Sequence, residues 1–227
     1  SEHARRYILD SSVKPEYTFV VGSPMAEILN TYSESINSSD VLNKLGLEKN
    51  KYILLSAHRE ENIDNEDNFM SLMNAVNQMA EKYNMPILYS CHPRSKKYIE
   101  QRGFVFDQRI IQHIPLGFFD YNKLQQCAFC VVSDSGTLPE EGAYFKFPAV
   151  SIRTSTERPE AMEEGVFVLG SISTEGVLQA VDLATDMYKN KDIPLKVDAY
   201  EDKNVSTKVV KIIQSYTGVV NKMVWRK

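Results

Sequence analysis

Four short segments of this chain hold residue types suited to binding an anion. In VVSDSGTLPEEGAYF, Val131–Phe145, the hydroxyls of Ser135 and Thr137 flank Gly136, and two adjacent carboxylates, Glu140 and Glu141, follow. The segment opens as a buried strand and closes as a helix. A helix N-terminus offers unpaired N–H groups and the positive end of a dipole, which favours an anion. Gly136 lets a phosphate come close to the backbone, and the hydroxyls add donors. Glu140 complements the helix dipole in the first turn. Glu141, facing the same cleft, can accept both hydroxyls of a ribose. The set suits a nucleoside diphosphate; an ordinary capped helix is the plain alternative.

Three further segments repeat the theme. SAHREEN ends an apolar run with His58 and Arg59, and both side-chain types pair with phosphate oxygens. Tying down the strand end is the plainer role for a lone histidine. HPRS adds His92 and Arg94. RTSTERPE supplies Arg153, Thr154, Ser155, Thr156, Glu157 and Arg158, where Arg158 with Glu157 or Glu160 reads equally as a surface ion pair. Beside them, IPLGFFDY offers Phe118, Phe119 and Tyr121 for stacking on a base, although core packing is the commoner use of aromatics. Several basic segments in a chain of net charge −4 favour a bound anion over a nucleic acid.

Short apolar runs position these segments. KYILLSA, MPILYSC, FCVVSD and PAVSIR read as strands, the first with the nearly continuous apolar centre expected when both faces are covered. YTFVVGS and GVFVLG also read as strands. NEDNFMSLMNAVNQMAEKY places Phe69, Leu72, Met73, Val76, Met79 and Ala80 at helical spacing. SKKYIEQR, DYNKLQQCA, PEEGAYFKF, RPEAMEEG and TEGVLQAVDLATDMYKN read as further helices. SDVLNKLGL is a short helix capped by Ser39 or Asp40 and stopped by Gly46. VSTKVVKIIQSYTGVVNKMVWRK is a long terminal helix, bent or interrupted at Gly218. The alternation implies βαβ units and an α/β, doubly wound parallel sheet of Rossmann-like type. Ligands of such sheets bind at the carboxyl ends of the strands, where the candidate segments fall.

The 227 residues are 43% hydrophobic and 25% charged, ordinary for a globular chain with a sizeable core. No apolar run approaches the roughly 18–20 residues of a membrane span. Cys127 and Cys130 form C-x-x-C where a helical stretch runs into a strand, the wrong place for a redox motif. With Cys91 they read as small buried residues. The chain opens at Ser1 directly in helical sequence, as expected of a piece cut from a longer protein.

Together SAHREEN, HP, SDSGTLPEE and RTSTERPE, in this order and spacing, resemble the non-hydrolysing UDP-N-acetylglucosamine 2-epimerase family. SDSG...EE joined to R.STERPE is a specific combination; HP alone carries nothing. The resemblance covers essentially the whole chain. It implies the C-terminal half of a two-domain fold like that of the GT-B glycosyltransferases, with UDP in the cleft. Residues 1–30 would be the tail of the N-terminal domain and the crossover, 31–204 the UDP-binding domain, and 205–227 a terminal helix packing back towards the N-terminal domain. The resemblance implies that Ser135, Gly136 and Thr137 hold the diphosphate, that Glu141 holds the ribose, and that Tyr121 and Phe118 pack near uracil. His92 and Arg158 join the same UDP site. His58 matches a family histidine tied to activity, and Arg59 its neighbour in the motif, so both are expected to be catalytic.

The main branch of the family has a second glycine, an apolar residue and Gln where Thr137, Leu138 and Pro139 stand here. SDSGT, AHREENID, HPRSKK and the tail NVSTKVVKIIQSY look closer to the capsule and O-antigen branch. Members of that branch epimerise UDP-2-acetamido-2,6-dideoxy-L-talose to the L-fucosamine sugar. The family reaction removes the C2 proton, expels UDP from C1 to leave a glycal, and adds UDP back with a proton on the other face of C2. The resemblance implies no cofactor, neither NAD nor metal. It implies a homodimer in the cytoplasm, and no nucleic-acid or membrane partner. Most acid–base carboxylates would lie in the N-terminal domain, so the chain alone is expected to be inactive. Two other readings stay open: the nucleotide-sugar domain of a GT-B glycosyltransferase, and a non-catalytic nucleotide-sensing or oligomerisation module.

Overall fold

The computed structural model describes residues 1–191 and 196–227. Six strands form one sheet: β1 Ile53–Ser56, β2 Ile87–Ser90, β3 Ile110–His113, β4 Cys130–Ser133, β5 Ala149–Ser151 and β6 Val168–Leu169. Their order is β3-β2-β1-β4-β5-β6 and every pairing is parallel. Leu54 of β1 lies level with Leu88 of β2 and Val131 of β4. The expected doubly wound, Rossmann-like sheet is what the chain builds.

Successive strand residues point to opposite faces, and this divides the core in two. Ile53, Leu55, Ile87, Tyr89, Cys130 and Val132 meet Phe69, Leu72, Val76, Val177 and Val181 from the helices Glu66–Tyr83 and Thr174–Asn190. Tyr52, Leu54, Leu88 and Val131 face the other way, onto Leu124, Leu138 and Ala143 of the helices Phe118–Cys127 and Leu138–Phe145. Each fully buried Leu, Ile or Val contributes about 1.5–3 kcal/mol. This explains why the central strands read as unbroken apolar runs.

Local signals fix the ends. The Asn65 side chain accepts the Asn68 N–H at 3.0 Å and starts the helix Glu66–Tyr83. Ser39, rather than Asp40, takes the Val41 N–H at 3.3 Å, and Gly46 stops the helix Val41–Leu45 at φ +63°. Cys91, Cys127 and Cys130 are free and buried; burial pushes the Cys91 thiol up to about 11.

Two expectations fail and a third holds only in part. YTFVVGS is no strand: the 3-10 turn Pro15–Tyr17 leads into unpaired chain, with Phe19 and Val20 turned outward. Apolar content made it look like a strand, but it lies beside the terminal helix, with Phe19 edge-on to Tyr216 at 5.0 Å. The helix Val205–Met223 runs unbroken through Gly218. A helical glycine costs only about 1 kcal/mol relative to alanine, too little to interrupt a helix of 19 residues. GVFVLG supplies only the two-residue edge strand β6. The sequence reading also passed over β3, whose alternation is weak because it is the opposite edge of the sheet. Among the described residues, no helix is long and apolar enough to cross a membrane.

Candidate functional site

Strand order reverses between β1 and β4: β1 continues through β2 and β3 on one side, β4 through β5 and β6 on the other. A crevice opens at the carboxyl ends there. The segment after β1 is Ala57-His58-Arg59, and the segment after β4 is Asp134-Ser135-Gly136-Thr137.

Asp134 joins the two. It is fully buried, and its Oδ2 accepts the backbone N–H groups of His58 and Arg59, both at 2.8 Å, and the Asn62 amide at 3.0 Å. Its Oδ1 lies 3.1 Å from His58 Nδ1. Arg59 Nε donates to the Asp134 carbonyl at 2.8 Å, which swings the guanidinium over the turn; a Cβ on Gly136 would meet Arg59 Nη2 at 3.9 Å. Asn62 also donates to the Ile152 carbonyl at 3.0 Å, tying in the end of β5.

In the turn, the Ser135 and Thr137 hydroxyls touch at 3.0 Å, and Ser135 Oγ accepts the Thr137 N–H at 3.3 Å. The Gly136 N–H takes no partner among the described residues. Thr137 donates to Glu141 Oε1 at 3.0 Å and Gln125 to Glu141 Oε2 at 2.6 Å. Burial raises the Glu141 carboxyl above its ordinary range, and those two bonds oppose the shift. Tyr121 packs beneath, near Ser56, Ser133 and Glu141; burial raises its phenol strongly.

Glu140 stands in the first turn of its helix, as expected of a dipole partner, and has side-chain partners as well. It is buried, accepts from Ser23 at 3.3 Å and pairs with Arg158 Nε at 3.4 Å. Burial raises its carboxyl, with Arg158 acting against that. Arg158 therefore pairs with the Glu140 carboxylate, and from Glu157 it takes only the backbone carbonyl, to which its Nη1 donates at 3.4 Å. Glu157 instead holds the buried Arg153 through two bonds of 2.7 Å.

The histidines meet: the His58 and His92 ring centres are 6.4 Å apart, and His92 caps its helix by accepting the Arg94 N–H at 3.2 Å. The Arg94 guanidinium turns away to Glu60, at 2.9 Å, and to Asp64. Phe118 and Phe119 are half-exposed and cluster with Tyr32, at 6.4 and 5.5 Å. A cavity of about 520 Å³ lies at the other edge of the sheet, among Phe147, Val166, Phe167, Met187 and Tyr188. It is mostly apolar, with Lys146, Lys191 and Lys196 at its wall, and holds none of the groups above. No cluster of metal-ligating side chains occurs among the described residues.

Sequence reasoning missed Asp134, Asn62 and Gln125. Asp134 stood inside a quoted motif, directly after an apolar run, and an acid at that place could have been flagged. Asn62 and Gln125 carry no signal without the fold.

A family model described as UDP-N-acetylglucosamine 2-epimerase matches residues 1–214. A UDP-N-acetylglucosamine 2-epimerase of Methanocaldococcus jannaschii is 28% identical over 201 residues, 84% of this chain and 54% of that protein. The structure of UDP-N-acetylglucosamine 2-epimerase from Rickettsia bellii matches 100% of this chain and 61% of its own, with 37% identity and a TM-score of 0.88. The M. jannaschii enzyme solved in complex with UDP-GlcNAc and UDP matches 95% of this chain and 59% of its own, with a TM-score of 0.83 at 23% identity, a likeness of fold. The chain spans about half the length of the curated relatives it matches. With the model matched over nearly its whole length, on a sheet and crevice of this geometry, the chain belongs to the UDP-N-acetylglucosamine 2-epimerase family.

Proposed function

We propose that this chain is the UDP-binding part of an enzyme that inverts C2 of a UDP-N-acetylhexosamine. One observation carries the reading: the Ser135–Thr137 turn, the Arg59 guanidinium and His58 converge on a single crevice. Ser135, Gly136 and Thr137 hold the diphosphate, and Arg59 offsets its charge. Glu141 exchanges its bond with Thr137 for the ribose hydroxyls. Tyr121 and Phe118 line the base end, with His92 and Arg158 on the flanks. Residues 31–204 form the nucleotide domain. Residues 1–30 lead in from a preceding domain and 205–227 pack back on it; Val210, Ile213, Met223 and Trp225 stand exposed for such a contact.

In the reaction a base takes the C2 proton and the C1–O bond breaks, its electron pair leaving on UDP as the C1–C2 double bond forms. The glycal then takes UDP back at C1 and a proton on the opposite face of C2. His58 meets the charge growing on the pyrophosphate. Most of the carboxylates that move the C2 proton are assigned to the N-terminal domain of the intact protein. The chain alone therefore binds UDP weakly, having lost contacts and preorganisation, and turns nothing over. No cofactor is needed. The intact protein works as a homodimer in the cytoplasm. Thr137, Leu138 and Pro139 favour the capsule and O-antigen branch, with UDP-L-FucNAc or UDP-ManNAc as the product. Nuclear magnetic resonance of the intact protein in deuterated water, with UDP-GlcNAc and with UDP-2-acetamido-2,6-dideoxy-L-talose, tests the reading. Deuterium at C2 and an epimeric product are expected; no C2 exchange with either sugar sinks it.

A further inference from the structure

The two oxygens of Asp134 are used unequally. Oδ2 accepts three N–H groups, from the His58 backbone, the Arg59 backbone and the Asn62 side chain, at 2.8, 2.8 and 3.0 Å. Oδ1 is equally buried and makes no aligned hydrogen bond. The donor group standing beside it is the His58 imidazole, with Nδ1 at 3.1 Å. A buried acceptor left empty is costly, more so when charged. A small rotation of the ring aligns an Nδ1–H with Oδ1 and completes the set. The other ring nitrogen, Nε2, then points away from Asp134, on a side chain that is 46% exposed.

From this arrangement we infer that Asp134 is a positioning residue: it fixes the His58 proton on Nδ1 and leaves Nε2 as the atom presented to the crevice. The tautomer of a histidine is set by the partner of its other nitrogen. Here the partner is a carboxylate that has no freedom to turn, because three donors hold its other oxygen. Deprived of a proton on Nδ1, the imidazole would set a lone pair against the Oδ1 charge. The groups facing His58 from neighbouring elements are Asp134 itself, Arg59 beside it, and the His92 ring at 6.4 Å. The catalytic meaning of this assignment rests on the epimerase reading; the tautomer itself does not.

The same three donors make the test sharp. In Asp134→Asn the amide oxygen must take the Oδ2 place, since an NH₂ there would face three N–H groups. The NH₂ is thereby forced towards His58 Nδ1, which must become an acceptor, and the proton moves to Nε2. An inverted tautomer of this kind disables a positioned histidine while leaving its geometry intact.

The measurement is ¹H–¹⁵N correlation of the imidazoles in the ¹⁵N-labelled 227-residue chain, at a pH where His58 is neutral. Its signals are assigned among the four histidines by their loss in His58→Gln. The expected result is an Nδ1–H tautomer in the wild type and an Nε2–H tautomer in Asp134→Asn. An Nε2–H wild type overturns the inference, and that outcome does not depend on the Asp134 variant folding. The same tautomer in a folded Asp134→Asn also overturns it. Because the readout is independent of turnover, an inactive or differently acting enzyme would count against the proposed reaction and leave this inference standing.

Discussion

The Arg59 guanidinium lies against the one turn residue that has no side chain, and a Cβ on Gly136 would stand 3.9 Å from Arg59 Nη2. That is ordinary contact, and Gly136 is not in the left-handed region. Gly136→Ala should therefore fold with an unchanged Tm. Its methyl group would fill the space a phosphate needs between guanidinium and backbone. UDP affinity should fall at least about tenfold, ~1.4 kcal/mol. Calorimetry giving wild-type affinity would remove the turn from the phosphate role.

Glu141 separates binding from stability. In Glu141→Gln the amide can still pair with Gln125 and Thr137 in one orientation, so the fold should hold. The ribose loses one acceptor, and UDP binding should weaken. Glu141→Ala leaves the buried Gln125 amide without its 2.6 Å partner, which should cost about 1–3 kcal/mol of stability as well. Equal UDP binding by wild type and Glu141→Gln would end the ribose assignment. Glu140→Ala should also destabilise, because it strips the partner from Arg158.

The buried acids make stability depend on pH in a definite sense. Glu140 and Glu141 are raised above 4.5, by burial first. Folded, they hold protons to a higher pH than when unfolded, so above 4.5 the native state binds more protons. Their contribution is full below that pH and is lost as the pH rises through the folded pKa values. Glu157 is the opposite case, lowered from 4.5 to about 2 by its bonds to Arg153. Its contribution is present above 4.5 and disappears as the pH falls towards 2. In melts across a pH series, Glu141→Gln should gain on wild type as the pH rises from 4.5. Glu157→Gln should lose less than wild type on acidification. Parallel curves would contradict both assignments.

On the proposed reaction, in which His58 acts as charge develops, His58→Ala in the intact protein should lower kcat more than it raises KM. The expected loss is on the order of 10²-fold. His58→Asn keeps a hydrogen-bonding side chain of similar reach. Near-normal kcat in that variant would reduce His58 to a strand-end tie.

The sheet was legible because its central strands are buried on both faces and read as unbroken apolar runs. The edges were less so. β3 mixes Gln and His with two isoleucines and was not read as a strand, and β6 was read but keeps only two paired residues of GVFVLG. YTFVVGS has strand composition, but no sequence pattern says that a sheet partner is missing. At the site, the motif residues could be singled out as candidates because phosphate chemistry demands recognisable types. Gln125 and Asn62 escaped because their roles depend on which strand ends the topology brings together. Glu140 read as a first-turn acid, which it is; its burial and its pairing with Arg158 depend on the fold.

The backbone amides of His58 and Arg59 hang from a side chain, not from a sheet neighbour. Most protected amides report on the element that contains them. These two report on whether the seam between β1 and β4 is shut, because Asp134 belongs to the far side of it. Their hydrogen-exchange rates are a gauge built into the backbone, readable one residue at a time and needing no attached probe. A ligand that spans the seam should slow both. It should slow them by the same factor, since a single oxygen atom releases them together.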